Sequence, residues 1–242
     1  MATCKFCGKD KKLVKAHIIP RSLYGFPKEK GYEPYKFITN VKGFYSSRSA
    51  TGVYDPELVC LDCESMFSAP DKYAYEIFLG SKSVWKKRPN IKAKKIPPED
   101  FDYKLFKLFF LTLLWRSSTT KQPFFRKVEL GPHIDQIRQM ILDKNPGTPD
   151  DFSVVLAVFN SETASGAMLD PDRSRFDGVN YIRFYLAGYV AYVKIDQRKA
   201  PTNLRELQAS PDIGLIAIER SFERSKEFTA LTKLVKKTSF NS

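Results

Sequence analysis

Histidine is scarce, with two in 242 residues, His17 and His133, as few as the tryptophans. A site built from several imidazoles is thereby excluded, and each histidine is weighed singly. Long apolar runs are also missing. The longest, Leu108 to Trp115, is too short to cross a bilayer and is flanked by Lys107 and Arg116, so it reads as a buried helix and no membrane partner is expected. The opening MATCKFCGKDKKLVK has no apolar core of a signal peptide, which sets the expectation of a cytoplasmic protein with reduced thiols. No P-loop, dinucleotide fingerprint, nucleophile elbow or internal repeat occurs, which removes the common nucleotide-binding and serine-hydrolase readings. Acidic residues are in deficit as well: 27 against 40 Lys plus Arg, a formal charge of +13. Nucleic acid is therefore the partner expected by charge, although a solvated lysine face has the same composition.

What is present is an ordered globular composition, 43% hydrophobic and 14% aromatic, in a chain long enough to bury a full core. All four cysteines lie before position 64. After them comes GSKSVWKKRPNIKAKKIPP, residues 80–98, with seven basic residues and no acid. This is a natural boundary, read as a basic linker over 81–98 or as a strip whose Lys86, Lys87 and Arg88 beside Trp85 follow a phosphate backbone. Residues 99–121 predict a helix that is apolar nearly all round, hence buried or docked on a partner through 105–115. GPHIDQIRQMILDKNPG predicts a shorter helix with His133 at its exposed opening. From 151 onward, FSVVLAVFN, YIRFYLAGYVAYVKI and IGLIAIE predict strands of a small sheet, separated by the turn signals DPDRSRFDG and APTN. The tail SKEFTALTKLVKKTSF is compatible with a basic helix. The organisation expected is residues 1–80, a linker at 81–98, a helical segment at 99–147 and an α+β region at 148–242.

CKFC at Cys4 and Cys7 and CLDC at Cys60 and Cys63 are two pairs of equal spacing. Two such pairs can set four thiolates tetrahedrally around one Zn²⁺, and Gly8 suits the tight backbone of a knuckle. A redox Cys-x-x-Cys needs only one pair, in a strand-to-helix context. Four sulfurs leave no open position, so this zinc holds the fold and any chemistry falls to other residues.

CKFCGK, KAHIIPRS and YDPELVCLDCE together resemble the HNH nucleases of the ββα-metal, treble-clef type, over about residues 1–80. With the helices and small C-terminal mixed sheet read from the later pattern, the fold class expected is α+β; the resemblance implies a zinc-braced β-hairpin and helix over these residues. It implies hydrolysis of nucleic-acid phosphodiesters, DNA more than RNA, with His17 as the base that activates water. It further implies a second, hard cation, Mg²⁺ or Mn²⁺, to stabilise charge on the phosphate. The sequence departs from the pattern where the family has an Asp before the base, since Ala16 stands there; the middle Asn is Asp55 and the final His is Glu64. Two readings follow. Asp55 and Glu64, with Asp71, form an oxygen-rich site beside His17; or the nuclease site has decayed and zinc supports a nucleic-acid-binding or adaptor subunit. Each residue also has a plain structural reading: a core histidine bonded to a carbonyl for His17, a turn former for Asp55, a first-turn carboxylate for Glu64, and for Asp71 an N-cap of KYAYEIFLG, which Gly80 ends.

Residues 21–52 insert into the hairpin and carry Arg21, Lys36, Lys42 and Arg48 among aromatics. With Lys15 they are expected to flank the active face and hold a nucleic-acid backbone. Stand-alone chains of the family it resembles often belong to bacterial or phage conflict systems, so the resemblance implies restriction or antiphage defence as the setting.

Overall fold

The structure, a computed structural model, describes residues 2–24, 35–38, 47–49, 51–80, 86–87, 92–160 and 167–229, with the backbone alone at 35–38, 47–48, 86–87 and 167–168. It is mixed α+β. Two short strands, β1 (Ala2–Thr3) and β2 (Asp10–Lys11), pair antiparallel and bracket the first cysteine pair. The bend between them depends on Gly8 at φ +72°, whose amide donates to the Cys4 carbonyl at 2.8 Å; a side chain there is strained by its Cβ.

Strand β3 (Leu13–His17) pairs antiparallel with β6 (Tyr54–Cys60), and β6 runs directly into helix α1 (Leu61–Phe78). Between them, β4 (Tyr35–Ile38) and β5 (Ser47–Ser49) form an antiparallel pair. The β3–β6 ladder shifts register between Val14 and Ala16, where Pro56–Leu58 lie opposite Lys15. Pro56 has no N–H to give the ladder, and an irregularity is where a strand tolerates it.

Residues 81–98, expected to be a linker, are partly built into the C-terminal sheet: β7 (Lys86–Lys87) pairs with β8 (Ala93–Ile96). Helix α2 (Tyr103–Thr119) follows, capped by Asp102, whose Oδ1 accepts from the Leu105 amide at 2.9 Å. All residues from Phe106 to Ser117 are buried, as a helix apolar on every side requires. Helix α3 (His133–Leu142) packs on α2, and His133 at its start meets the Phe152 ring edge-on at 5.8 Å.

The remaining strands are β9 (Val154–Phe159), β10 (Ala167–Leu169), β11 (Asp172–Phe176), β12 (Val179–Leu186), β13 (Tyr189–Lys194) and, after the short helix α4 (Thr202–Arg205), β14 (Leu215–Arg220). Seven strands form one sheet in the order β11-β12-β13-β9-β14-β8-β7, antiparallel except where β14 runs parallel to β9. DPDRSRFDG was expected to be a turn, yet Asp172–Phe176 is an edge strand whose polar alternation suits an exposed rim. β10 leaves this sheet and extends β4 in parallel, so the 21–52 insertion is joined to the C-terminal region.

One apolar core links these parts, from Phe6 and Phe67 through α2 to Leu156 and Ala217. Within it Trp115 lies edge-on to Phe6 at 4.8 Å and 6.4 Å from Phe67. Lys107, also buried, places its ammonium on the carbonyls of Asp151 and Phe152, and burial lowers its pKa to about 7. Trp115→Ala is expected to cost about 3–5 kcal/mol, read as a lowered denaturant midpoint with an unchanged slope.

Candidate metal centre and the His17 face

The four cysteine sulfurs converge. Cys4 and Cys7 lie on the β1–β2 knuckle, Cys60 ends β6, and Cys63 is one turn on in α1. All four sulfurs are within 4.8 Å of one another, with Cys4–Cys63 at 3.8 Å and Cys60–Cys63 at 3.6 Å. Sulfurs held at about 2.3 Å from a tetrahedral zinc stand about 3.8 Å apart, so the set fits that ion. Burial raises the Cys4 thiol, but the backbone amides of Cys7, Cys60 and Phe6 outweigh it and bring the pKa down to about 7. Amides that stabilise a thiolate are what a zinc–sulfur site needs. Among the described residues, this is the one group of three or more His, Cys, Asp or Glu placed to hold an ion.

His17 ends β3. Its Nε2 lies 2.9 Å from the Thr51 carbonyl oxygen. A carbonyl only accepts, so that nitrogen carries the proton and Nδ1 keeps its lone pair. The Thr51 turn is itself fixed: Ser49 Oγ accepts from the amides of Thr51 and Gly52, and Tyr24 Oη accepts from the Val53 amide at 3.2 Å. Gly52 has φ +84°, and a Cβ there would meet the Tyr24 ring at 2.2 Å. Burial lowers the His17 pKa below 6.5, and the charges of Arg21 and Arg116 act in the same direction against the Thr51 bond and Asp71. Both effects bias the imidazole toward its neutral form.

Directly opposed strand residues share a face, and successive residues alternate. His17 opposes Tyr54, with ring centroids 6.0 Å apart, and the Lys15 ammonium lies 5.5 Å from the same Tyr54 ring. Lys15, exposed, shares the His17 face through Tyr54, and Arg21, also exposed, lies near enough to act on the His17 charge. The side chains of Lys36, Arg48, Lys86 and Lys87, and all of Lys42 and Arg88, lie outside the described residues.

The carboxylates go elsewhere. Asp55 opposes Ala16, on the face away from His17, and is 4% exposed. Its Oδ1 accepts from the Glu57 amide at 2.8 Å and its Oδ2 from Thr120 Oγ1 at 2.7 Å, so it forms the local turn beside Pro56 and ties β6 to the end of α2. Its expected place beside His17 is corrected on that ground. Asp71 is neither an N-cap nor an open ligand, because α1 continues through Pro70. Both of its oxygens are taken by Arg116, at 2.9 and 2.7 Å. Glu64 stands in the first turn of α1, where one carboxylate oxygen, Oε2, is buried with no hydrogen-bond partner among the described residues. Burial pushes its carboxyl above the ordinary value, with Asp71 adding to the rise and Arg116 opposing it.

Arg116 is the residue the sequence reading passed over. It is 0% exposed; besides Asp71, its Nη1 donates to the His17 carbonyl at 3.0 Å and its Nη2 to Thr112 Oγ1 at 3.3 Å. A cation closing a run of buried helix positions needs a partner, and that was the available signal. Thr51, Ser49 and Tyr24 gave none, since a carbonyl or hydroxyl brought close by folding leaves no local pattern.

No family model, curated protein or solved structure matches this chain. The residues and their geometry are accordingly the whole basis for a functional reading.

Two outcomes are expected. Cys60→Ser lowers bound zinc, measured by atomic absorption on the purified chain, and lowers the thermal midpoint with it. Arg116→Ala leaves Asp71 facing the interior without its cation and destabilises by about 3–5 kcal/mol, measured by chemical denaturation.

Proposed function

We propose that the N-terminal module hydrolyses nucleic-acid phosphodiesters in the manner of the HNH nucleases it resembles, with the four cysteines holding structural zinc in a treble-clef frame. The observation that carries this reading is the placement of His17: a half-buried imidazole at a strand end, biased toward its neutral form, with one nitrogen on the Thr51 carbonyl and the other left as a base. General-base catalysis asks for that combination.

Nδ1 takes the proton of the attacking water while the Thr51 carbonyl keeps the ring from turning. Lys15 and Arg21 draw the phosphate to this face, and Tyr54 offers a ring against a sugar or base. The unpartnered Glu64 oxygen suits a hard cation; Mg²⁺ or Mn²⁺ held there would stabilise charge developing on the phosphate. Asp55 and Asp71, already engaged, contribute positioning of the frame rather than ligands.

One observation favours a second reading. With Asp55 bound to Thr120 and Asp71 to Arg116, few oxygens remain for a catalytic ion, which is what a zinc-braced binding module without cleavage would retain. Incubation of supercoiled plasmid, single-stranded DNA and RNA with Mg²⁺ or Mn²⁺ separates the two. Cleavage is expected, with loss of activity in His17→Ala and unchanged zinc content; retention without cleavage under every ion would favour the binding module. Because the folded pKa of His17 lies below 6.5, kcat/KM is expected to be level above that pH. Below the folded pKa it should fall about tenfold per unit as the base is protonated. A profile with no acid-side fall at any pH where the chain stays folded would remove His17 from the reaction.

A further inference from the structure

The seven-stranded sheet has two faces, and only one belongs to the main core around α2. The other carries Phe159, Phe176, Tyr185 and Tyr192 in a second apolar cluster, with Arg183 and Arg220 among them. Each guanidinium lies against a ring, Arg183 at 5.8 Å from the Tyr185 centroid and Arg220 at 5.7 Å from that of Phe159. Arg220 Nη1 also donates to Tyr192 Oη at 2.7 Å.

The chain itself covers this surface. After β14, residues 222–229 cross it: Phe222 meets the Phe159 ring edge-on at 5.1 Å, and Phe228 meets Phe222 at 5.5 Å. Glu227, 3% exposed, sits between the two arginines, 3.1 Å from Arg183 and 3.6 Å from Arg220. The fit is incomplete. Glu227 Oε2 is buried without a hydrogen-bond partner among the described residues, and Phe228 is 39% exposed.

We propose that this face is a platform for single-stranded nucleic acid, and that residues 222–229 occupy it as an internal stand-in for the strand. A carboxylate sits where a phosphate would, and phenyl rings lie where bases would stack. Paired guanidinium and aromatic groups are the chemistry by which proteins hold single strands without reading sequence. A phosphodiester, like a carboxylate, spreads one negative charge over two oxygens, so it can take the place of Glu227 between the two guanidinium groups. Asp172, held by Arg183 Nε at 2.7 Å, orients that guanidinium and leaves Nη1 turned to Glu227. A duplex cannot use the site, because its bases are stacked on one another. The proposal is independent of cleavage by His17.

Fluorescence anisotropy with labelled oligothymidylate and oligouridylate tests it, in a His17→Ala background that keeps the probe intact. Removing the internal competitor with Glu227→Gln and Phe228→Ala together is expected to tighten binding about tenfold, by raising the fraction of open platform. Adding Arg220→Ala should abolish the gain. Unchanged affinity in a double variant with native near-ultraviolet dichroism would overturn the proposal, as would equal tightening for duplex DNA. Should that variant fail to fold, hydrogen exchange on the chain with only His17→Ala decides: saturating oligothymidylate is expected to speed exchange at 222–229, and unchanged or slowed exchange overturns the platform. Failure of the plasmid assay would leave all these readouts standing.

Discussion

A guanidinium without exposed surface is the constraint on which the N-terminal half depends. Burial of the Arg116 guanidinium is tolerated because Asp71 on α1, Thr112 on α2 and the His17 carbonyl at the end of β3 together meet its donors. Three elements distant in sequence are thus fixed by one side chain. Any one of them can shift only by leaving a charge or a carbonyl unmatched in the interior. The position of the imidazole follows from this arrangement and from the Thr51 turn, which is why His17 is held at both its backbone and its ring.

The cysteine cluster acts through the same frame. Phe6 lies inside the first pair, and its ring packs edge-on against Trp115 at 4.8 Å and Phe67 at 5.3 Å. Its carbonyl accepts from Arg138 on α3. A metal closing the four sulfurs would restrain the knuckle against α1, and the knuckle is already packed on the helix that carries Arg116. Brace and candidate base are connected through one helix, although the sulfur site itself has no position for a substrate.

The parts legible in the sequence were those whose chemistry is local. Two equal cysteine spacings anticipated the cluster, and an unbroken apolar run anticipated α2 within a few residues. The failures were non-local. β8 holds only Ala93 and Ile96 as buried residues among lysines, so nothing in its own stretch marks it as a strand; its partner lies at Leu215–Ile218. Pro70 suggested a helix start at Asp71, but α1 runs through it, the burial of Ala74, Ile77 and Phe78 offsetting the lost hydrogen bond. Asp55 and Asp71 have the residue type a metal ligand needs, and only the positions of Thr120 and Arg116 reveal that both are occupied.

The parallel pairing of β14 with β9 also bears on how the chain is made. β9 leaves the ribosome more than fifty residues before β14, and it is a strand of buried residues, half of them β-branched. Until Leu215–Arg220 arrives, one of its edges stays open to other chains. β8, made earlier still, waits for the same strand. Synthesis therefore includes an interval in which the sulfur cluster and α2 can already be assembled while the sheet cannot close, and in that interval the nascent chain is most exposed to aggregation. A protein cut before residue 215 would remain in that condition permanently.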